Sequence, residues 1–105
     1  MTEMLVAFCT FPDADCAAAV TKELVARRLV ACGNILPSVH SIYRWHDAVE
    51  SSEEAFVIFK LDGNRYAEFE KKVRSMHPYE VPEIIAFPLT KGLPDYLEWV
   101  AKSCG

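Results

Sequence analysis

Tyr66, Phe69, Val73 and Met76 recur at i, i+3, i+7 and i+10 between Asp62-Gly63-Asn64 and Pro78, and an apolar stripe of that period belongs to a helix lying on an apolar surface. The rest of the chain must therefore supply that surface. It does so in strand-length runs: Met4 to Thr10 (MLVAFCT) is almost continuously apolar, and Ala55-Phe56-Val57-Ile58-Phe59 forms the centre of a run from Val49 to Leu61. Apolar runs of this length bounded by turn residues are strands covered on at least one face.

Turn residues set the order of the elements. Phe11-Pro12-Asp13 breaks the first strand and offers Asp13 as the N-cap of a helix in which Ala17, Val20 and Leu24 keep helical spacing, expected to run to about Val30. Ala31 to Trp45 is rich in Val, Ile, Tyr and Trp but is interrupted by Gly33 and Pro37. Proline cannot donate to a sheet ladder, so this segment reads as a long, bent or bulged strand with an edge. His46-Asp47-Ala48 turns it back into the run from Val49 to Leu61, making a hairpin. Pro78 stops the second helix, whose outer face is expected to carry the ion pairs Glu68/Lys72 and Glu70/Arg74. Val81 to Leu89, bearing Ile84-Ile85-Ala86-Phe87, is expected as a last long strand, and Pro94 opens a short helix with Tyr96, Leu97, Trp99 and Val100.

The resulting order, β-α-β-β-α-β plus a C-terminal helix, is the split βαβ arrangement of an α+β, ferredoxin-like domain with an antiparallel sheet. At 105 residues the chain holds one core, so a single domain spanning residues 1–105 is expected. Long apolar strands leave edges that invite aggregation unless something pairs with them, and oligomerisation through strand edges is the simplest remedy.

Charge narrows the partners. Eleven basic against fifteen acidic residues give a formal charge of −4, without the positive surface that nucleic acid or an anionic membrane attracts. Neither is expected as a partner. The opening residues lack a leader pattern, and no run approaches the ~20 apolar residues of a membrane span, so a cytoplasmic location is expected. Cys9, Cys16, Cys32 and Cys104 form no C-x-x-C pair, which argues against a zinc knuckle, a thioredoxin-type motif or a disulfide scaffold. No nucleophile elbow, phosphate loop or H-E-x-x-H occurs, so the chain is read as a non-enzyme with no catalytic residues.

The most unusual local sequence is Met76-His77-Pro78-Tyr79-Glu80-Val81-Pro82-Glu83, a histidine, a tyrosine and two carboxylates held stiff by prolines. If the segment past Pro78 is extended, Glu80 and Glu83 fall on opposite faces and cannot both meet His77. A metal ion could be held by His77 with a thiolate from elsewhere, since sulfur and imidazole suit copper or zinc. Cys9, at the C-terminal end of the first strand, is the best donor. The structural alternative makes Cys9 a small buried hydrophobe and His77 a helix-terminal residue favoured by the dipole. Tyr43 and Trp45 alternate onto one strand face, opposite Arg44. They serve interface packing or, alternatively, wall an aromatic cleft in which Lys60 or Arg44 meets an anion.

Ala31-Cys32-Gly33-Asn34-Ile35-Leu36-Pro37, Ser41-Ile42-Tyr43-Arg44-Trp45, His77-Pro78-Tyr79-Glu80-Val81-Pro82-Glu83 and Tyr96-Leu97-x-Trp99 together resemble the CutA divalent-cation-tolerance family over nearly the whole chain. The resemblance implies a ferredoxin-like fold assembled into a homotrimer by intersubunit strand pairing. It also implies a role in the response to divalent metal ions, copper above all. The copper site proposed in the family maps onto Cys9, in Cys9-Thr10-Phe11-Pro12-Asp13, and onto His77, with Met76 standing where some members have a second histidine. Met76 and Glu80 are the further candidates for the shell. The alternative function is a signalling or scaffold trimer whose intersubunit clefts, walled by Tyr43, Trp45, Lys60, Tyr79, Glu83 and Trp99, bind a small anionic metabolite or a partner protein.

Overall fold

The structure, a computed structural model, describes residues 3–105. Met1 and Thr2, the start of the segment read for a leader, lie outside the described residues. The elements are β1 (Met4–Phe11), α1 (Ala14–Ala26), β2 (Cys32–Trp45), β3 (Ala48–Asp62), α2 (Tyr66–Met76), β4 (Ile84–Pro88) and α3 (Pro94–Ser103), with a single 3-10 turn at Gly63–Arg65. The four strands form one sheet in the order β2-β3-β1-β4, every neighbouring pair antiparallel. This is the split βαβ, ferredoxin-like arrangement expected from the order of elements.

Local chemistry explains the boundaries. Asp13 caps α1 by accepting from the Cys16 amide at 2.8 Å. The helix stops at Ala26, short of the expected Val30, because Arg28 turns into the left-handed region at φ 59. There the Arg28 amide bonds the Val25 carbonyl and the Leu29 amide the Leu24 carbonyl, closing the end in the manner of a Schellman motif. The β2–β3 hairpin turns on His46 and Asp47, at φ 48 and 64, the positive φ pair that a two-residue turn needs to match strand twist. A register shift between Leu36 and Val39 marks the bulge at Pro37 and Ser38.

One sheet face carries Ala7, Cys9, Phe11, Ala55, Val57, Phe59 and Leu61, all buried beneath helices that contribute Val20, Leu24, Phe69, Val73 and Val100. Along the strands the opposite face alternates with it and carries Phe8, Phe56, Ile58, Ile85 and Phe87, with Phe8 packed on Phe56 and Phe87. Among the described residues no helix covers it: Ile85 is 52% and Phe87 45% exposed. Beyond the bulge, β2 and β3 continue as a two-stranded arm, which gives the molecule a 44 Å long axis and a radius of gyration of 14.2 Å, against about 13 Å for a compact chain of this length.

Two further expectations need correction. The last strand is Ile84–Pro88 and not Val81 to Leu89, because Pro82 has no N–H for a ladder and the segment before Ile84 is drawn instead toward the end of β1. On α2, Glu68 pairs with Arg65 at 3.5 Å and Glu70 accepts from the Tyr66 hydroxyl at 2.9 Å, so the pairs with Lys72 and Arg74 are not formed among the described residues.

Candidate functional site

The segment after α2 crosses the end of β1 and opens a cleft of about 910 Å³ against the β2–β3 arm. Its floor is Thr10 and Pro12, one wall runs from Ser41 to Trp45 with Ser52, Glu53 and Glu54, and the other is made of Pro78, Tyr79, Glu80, Val81 and Glu83.

His77 hinges this second wall. It is the C-cap of α2, where its extended backbone turns the chain into Pro78, and it is 8% exposed with its ring stacked on Phe11 at 4.7 Å. The Tyr79 amide donates to His77 Nδ1 at 3.1 Å, so the ring proton sits on Nε2, which donates to the Thr10 carbonyl at 2.7 Å. Both nitrogens are thus engaged by backbone. Tyr79 then swings its hydroxyl onto Glu54, donating to Oε2 at 2.6 Å. Burial first, and then the Glu54 carboxylate, push the Tyr79 hydroxyl well above its ordinary range.

Cys9 lies one residue before Thr10 but faces the helices, fully buried. Burial, followed by the charges of Glu83, Cys16 and Glu54, pushes its thiol from 9.0 up to about 12, so at neutral pH it is a protonated thiol, not a ready thiolate. Met76, the last residue of α2, packs partly buried against the core.

Five of the sequence candidates, Tyr43, Trp45, Tyr79, Glu80 and Glu83, therefore meet in one cleft, with His77 and Cys9 behind its floor. Lys60 and Trp99 stand apart from it within the chain. Lys60 hydrogen-bonds Asn34 at the far end of β3, and Trp99 packs on Tyr96 along α3. Glu54 was missed by sequence reasoning; on β3 it shares a face with Phe56 and Ile58 but also with Ser52 and Lys60, so its phase gave no signal. Glu53, on the opposite strand face, accepts from Ser38 at 2.8 Å and meets His40 Nδ1 at 3.0 Å, and hydrogen bonds from His40 and then Ser38 hold its carboxyl below the usual range. The lining thus holds four carboxylates, Glu53, Glu54, Glu80 and Glu83, against one guanidinium, Arg44. Among the described residues, no three or more His, Cys, Asp or Glu side chains are already gathered as a metal cluster, and no helix is long and apolar enough to cross a membrane.

The molecule is thus a small α+β domain of ferredoxin-like fold with an acidic, aromatic cleft at one end and a bare apolar sheet face. The sequence model described as CutA1 divalent ion tolerance protein matches residues 5–103. The chain is 38% identical over 96 residues to a divalent-cation tolerance protein CutA of Thermus thermophilus, covering 91% of this chain and 93% of that protein. It is 39% identical over 94 residues to a mouse protein CutA, covering 90% of this chain but 53% of that protein, so it spans about half the length of the mouse relative. A solved structure titled divalent cation tolerance protein (Cut A1) from Thermus thermophilus superimposes with a TM-score of 0.94 at 36% identity, covering 97% of this chain and 99% of that one. The chain belongs to the CutA1 divalent ion tolerance family.

Proposed function

We propose that the protein is a homotrimeric, non-enzymatic binder of divalent cations that acts in the response to metal ions, with the ion taken up in the cleft between the β2–β3 arm and the segment after α2. The observation that carries this reading is the charge of the lining, four carboxylates to one guanidinium. Such a cleft attracts cations and disfavours the small anionic metabolite of the alternative reading, for which Arg44 is the one partner the lining offers.

Copper is the ion to test first, and the candidate ligands differ in readiness. Glu80 and Glu83 are exposed and hold no ion pair among the described residues, which suits an oxygen-seeking or borderline divalent ion. Cys9 and His77, with Met76 beside them, are the softer set. Their use requires the Cys9 thiol to lose its proton and His77 to exchange the Thr10 carbonyl or the Tyr79 amide for the ion. Assembly is supported by the uncovered sheet face around Phe8, Ile85 and Phe87. In a trimer, Lys60 and Trp99 are available to wall a cleft from a neighbouring subunit. A cytoplasmic location is supported by the four free cysteines, two of them buried.

The test is equilibrium dialysis against Cu(II) and Zn(II) with Glu80→Gln/Glu83→Gln and Cys9→Ala/His77→Ala variants. Loss of uptake in either variant supports the reading and identifies the ligand set; unchanged uptake in both would sink it.

A further inference from the structure

A cleft built for a metal ion alone has no use for aromatic walls, yet Tyr43, Trp45 and Tyr79 all line this one. Ring faces contribute nothing to a hard ion's coordination shell, but they attract alkylammonium groups and shelter the methylenes attached to them. The volume, about 910 Å³, also lies in the range of small-molecule sites, roughly 300–1,000 Å³, far above what one ion fills.

Glu54 gives the cleft an anchoring point. It is 9% exposed and its Oε2 is taken by the Tyr79 hydroxyl, while Oε1 has no hydrogen-bond partner among the described residues. That oxygen is not sealed in the interior and is free to accept from a cationic donor, a charge-assisted bond stronger than a neutral one. Glu53 is already bound to Ser38 and His40, whereas Glu80 and Glu83 have no ion pair among the described residues. Arg44, the one cation in the lining, opposes a guest beside it but is outnumbered.

We propose that the cleft binds an aliphatic polyamine, with one ammonium at Glu54, the methylene chain against Tyr79 and Tyr43, whose hydroxyl leans back toward Glu54 onto Ser52, and further positive charge answered by Glu80 and Glu83. The inference rests on the cation-attracting cleft proposed above and requires no metal. The organic cation and the metal ion then compete for the same carboxylates.

Calorimetric titration of the full chain with putrescine and spermidine tests this, alongside Zn(II) titration of the same samples. Saturable, salt-sensitive binding is expected, tighter for spermidine. Tyr43→Leu should weaken it roughly 5- to 30-fold, Tyr43→Phe should restore most of it, and Zn(II) uptake should be the same in all three. Glu54→Gln should weaken polyamine binding as well, with thermal melting confirming that each variant is folded. Absence of saturable binding at millimolar polyamine overturns the inference, and Zn(II) uptake in those samples would show that the metal reading survives it. Polyamine binding indifferent to both Tyr43→Leu and Glu54→Gln overturns the site. Site-dependent polyamine binding without any metal uptake supports the inference and removes the metal reading instead.

Discussion

The Tyr79 hydroxyl donates to Glu54 Oε2 at 2.6 Å, tying the segment after α2 to the base of the β2–β3 arm. Because Glu54 is buried, removing the hydroxyl strands a charge that water reaches poorly. Tyr79→Phe is expected to lower stability by about 1–3 kcal/mol, and the added Glu54→Gln to recover part of that loss. Urea denaturation of the two singles and the double checks this. Additive losses would mean that the two groups do not interact.

His77 is a structural hinge before it is anything else. His77→Ala removes the bond to Thr10, the acceptor for the Tyr79 amide and the stack on Phe11, and is expected to cost about 2–4 kcal/mol in protein stripped of metal. Denaturation after exhaustive chelation is the measurement. An unchanged midpoint would assign His77 to ligand binding alone.

Alkali should loosen the fold through Cys9. Its thiol is pushed from 9.0 up to about 12, chiefly by burial, so the folded state holds the proton more tightly than the unfolded chain. That stability is complete below pH 9.0 and is lost as pH rises toward about 12. The slope attributable to this thiol is about 1.4 kcal/mol per pH unit within the window. Burial likewise pushes Tyr66 up to about 12 and raises Cys104, so Cys9→Ala should flatten the alkaline slope without abolishing it. Stability measured by urea at stepped pH, with an identical slope in both proteins, would contradict the assignment.

Close packing makes Gly33 a sensitive position. A Cβ there would lie 2.7 Å from Thr21 Cγ2 and 3.0 Å from Phe59 Cδ1, so the Thr21 side chain, or α1 with it, must shift to admit it. Gly33→Ala is expected to destabilise by about 1–3 kcal/mol, and a thermal midpoint equal to the parent's would show that the contact relaxes freely.

The bare sheet face predicts assembly. Phe87→Glu places a charge beside Phe8 and is expected to shift the sedimentation of the protein toward monomer with the strands retained by circular dichroism. Sedimentation equal to the parent's would place the contacts between subunits elsewhere.

The fold was largely legible because its signals are local: the stripe Tyr66, Phe69, Val73, Met76 placed α2, and Asp13 and Pro94 marked where α1 and α3 begin. What misled was long-range competition for the backbone. Val81 to Leu89 has strand composition, but Pro82 and the tether from Tyr79 to Glu54 keep its first residues off the ladder. Arg28 at positive φ ended α1 where composition alone allowed another turn. At the site, the aromatic and acidic residues of two distant motifs were legible as chemistry. Their meeting was not, because it depends on the chain crossing the end of β1, and Glu54 carries no motif at all.

Native mass spectrometry with and without stoichiometric Cu(II), Cu(I) and Zn(II) tests the central claim most directly, since it reports assembly and ion count together. The account predicts a trimer that takes up one divalent ion per subunit and loses it when Glu80 and Glu83, or Cys9 and His77, are replaced. A trimer that ignores all three ions, or a chain that stays monomeric, would contradict it.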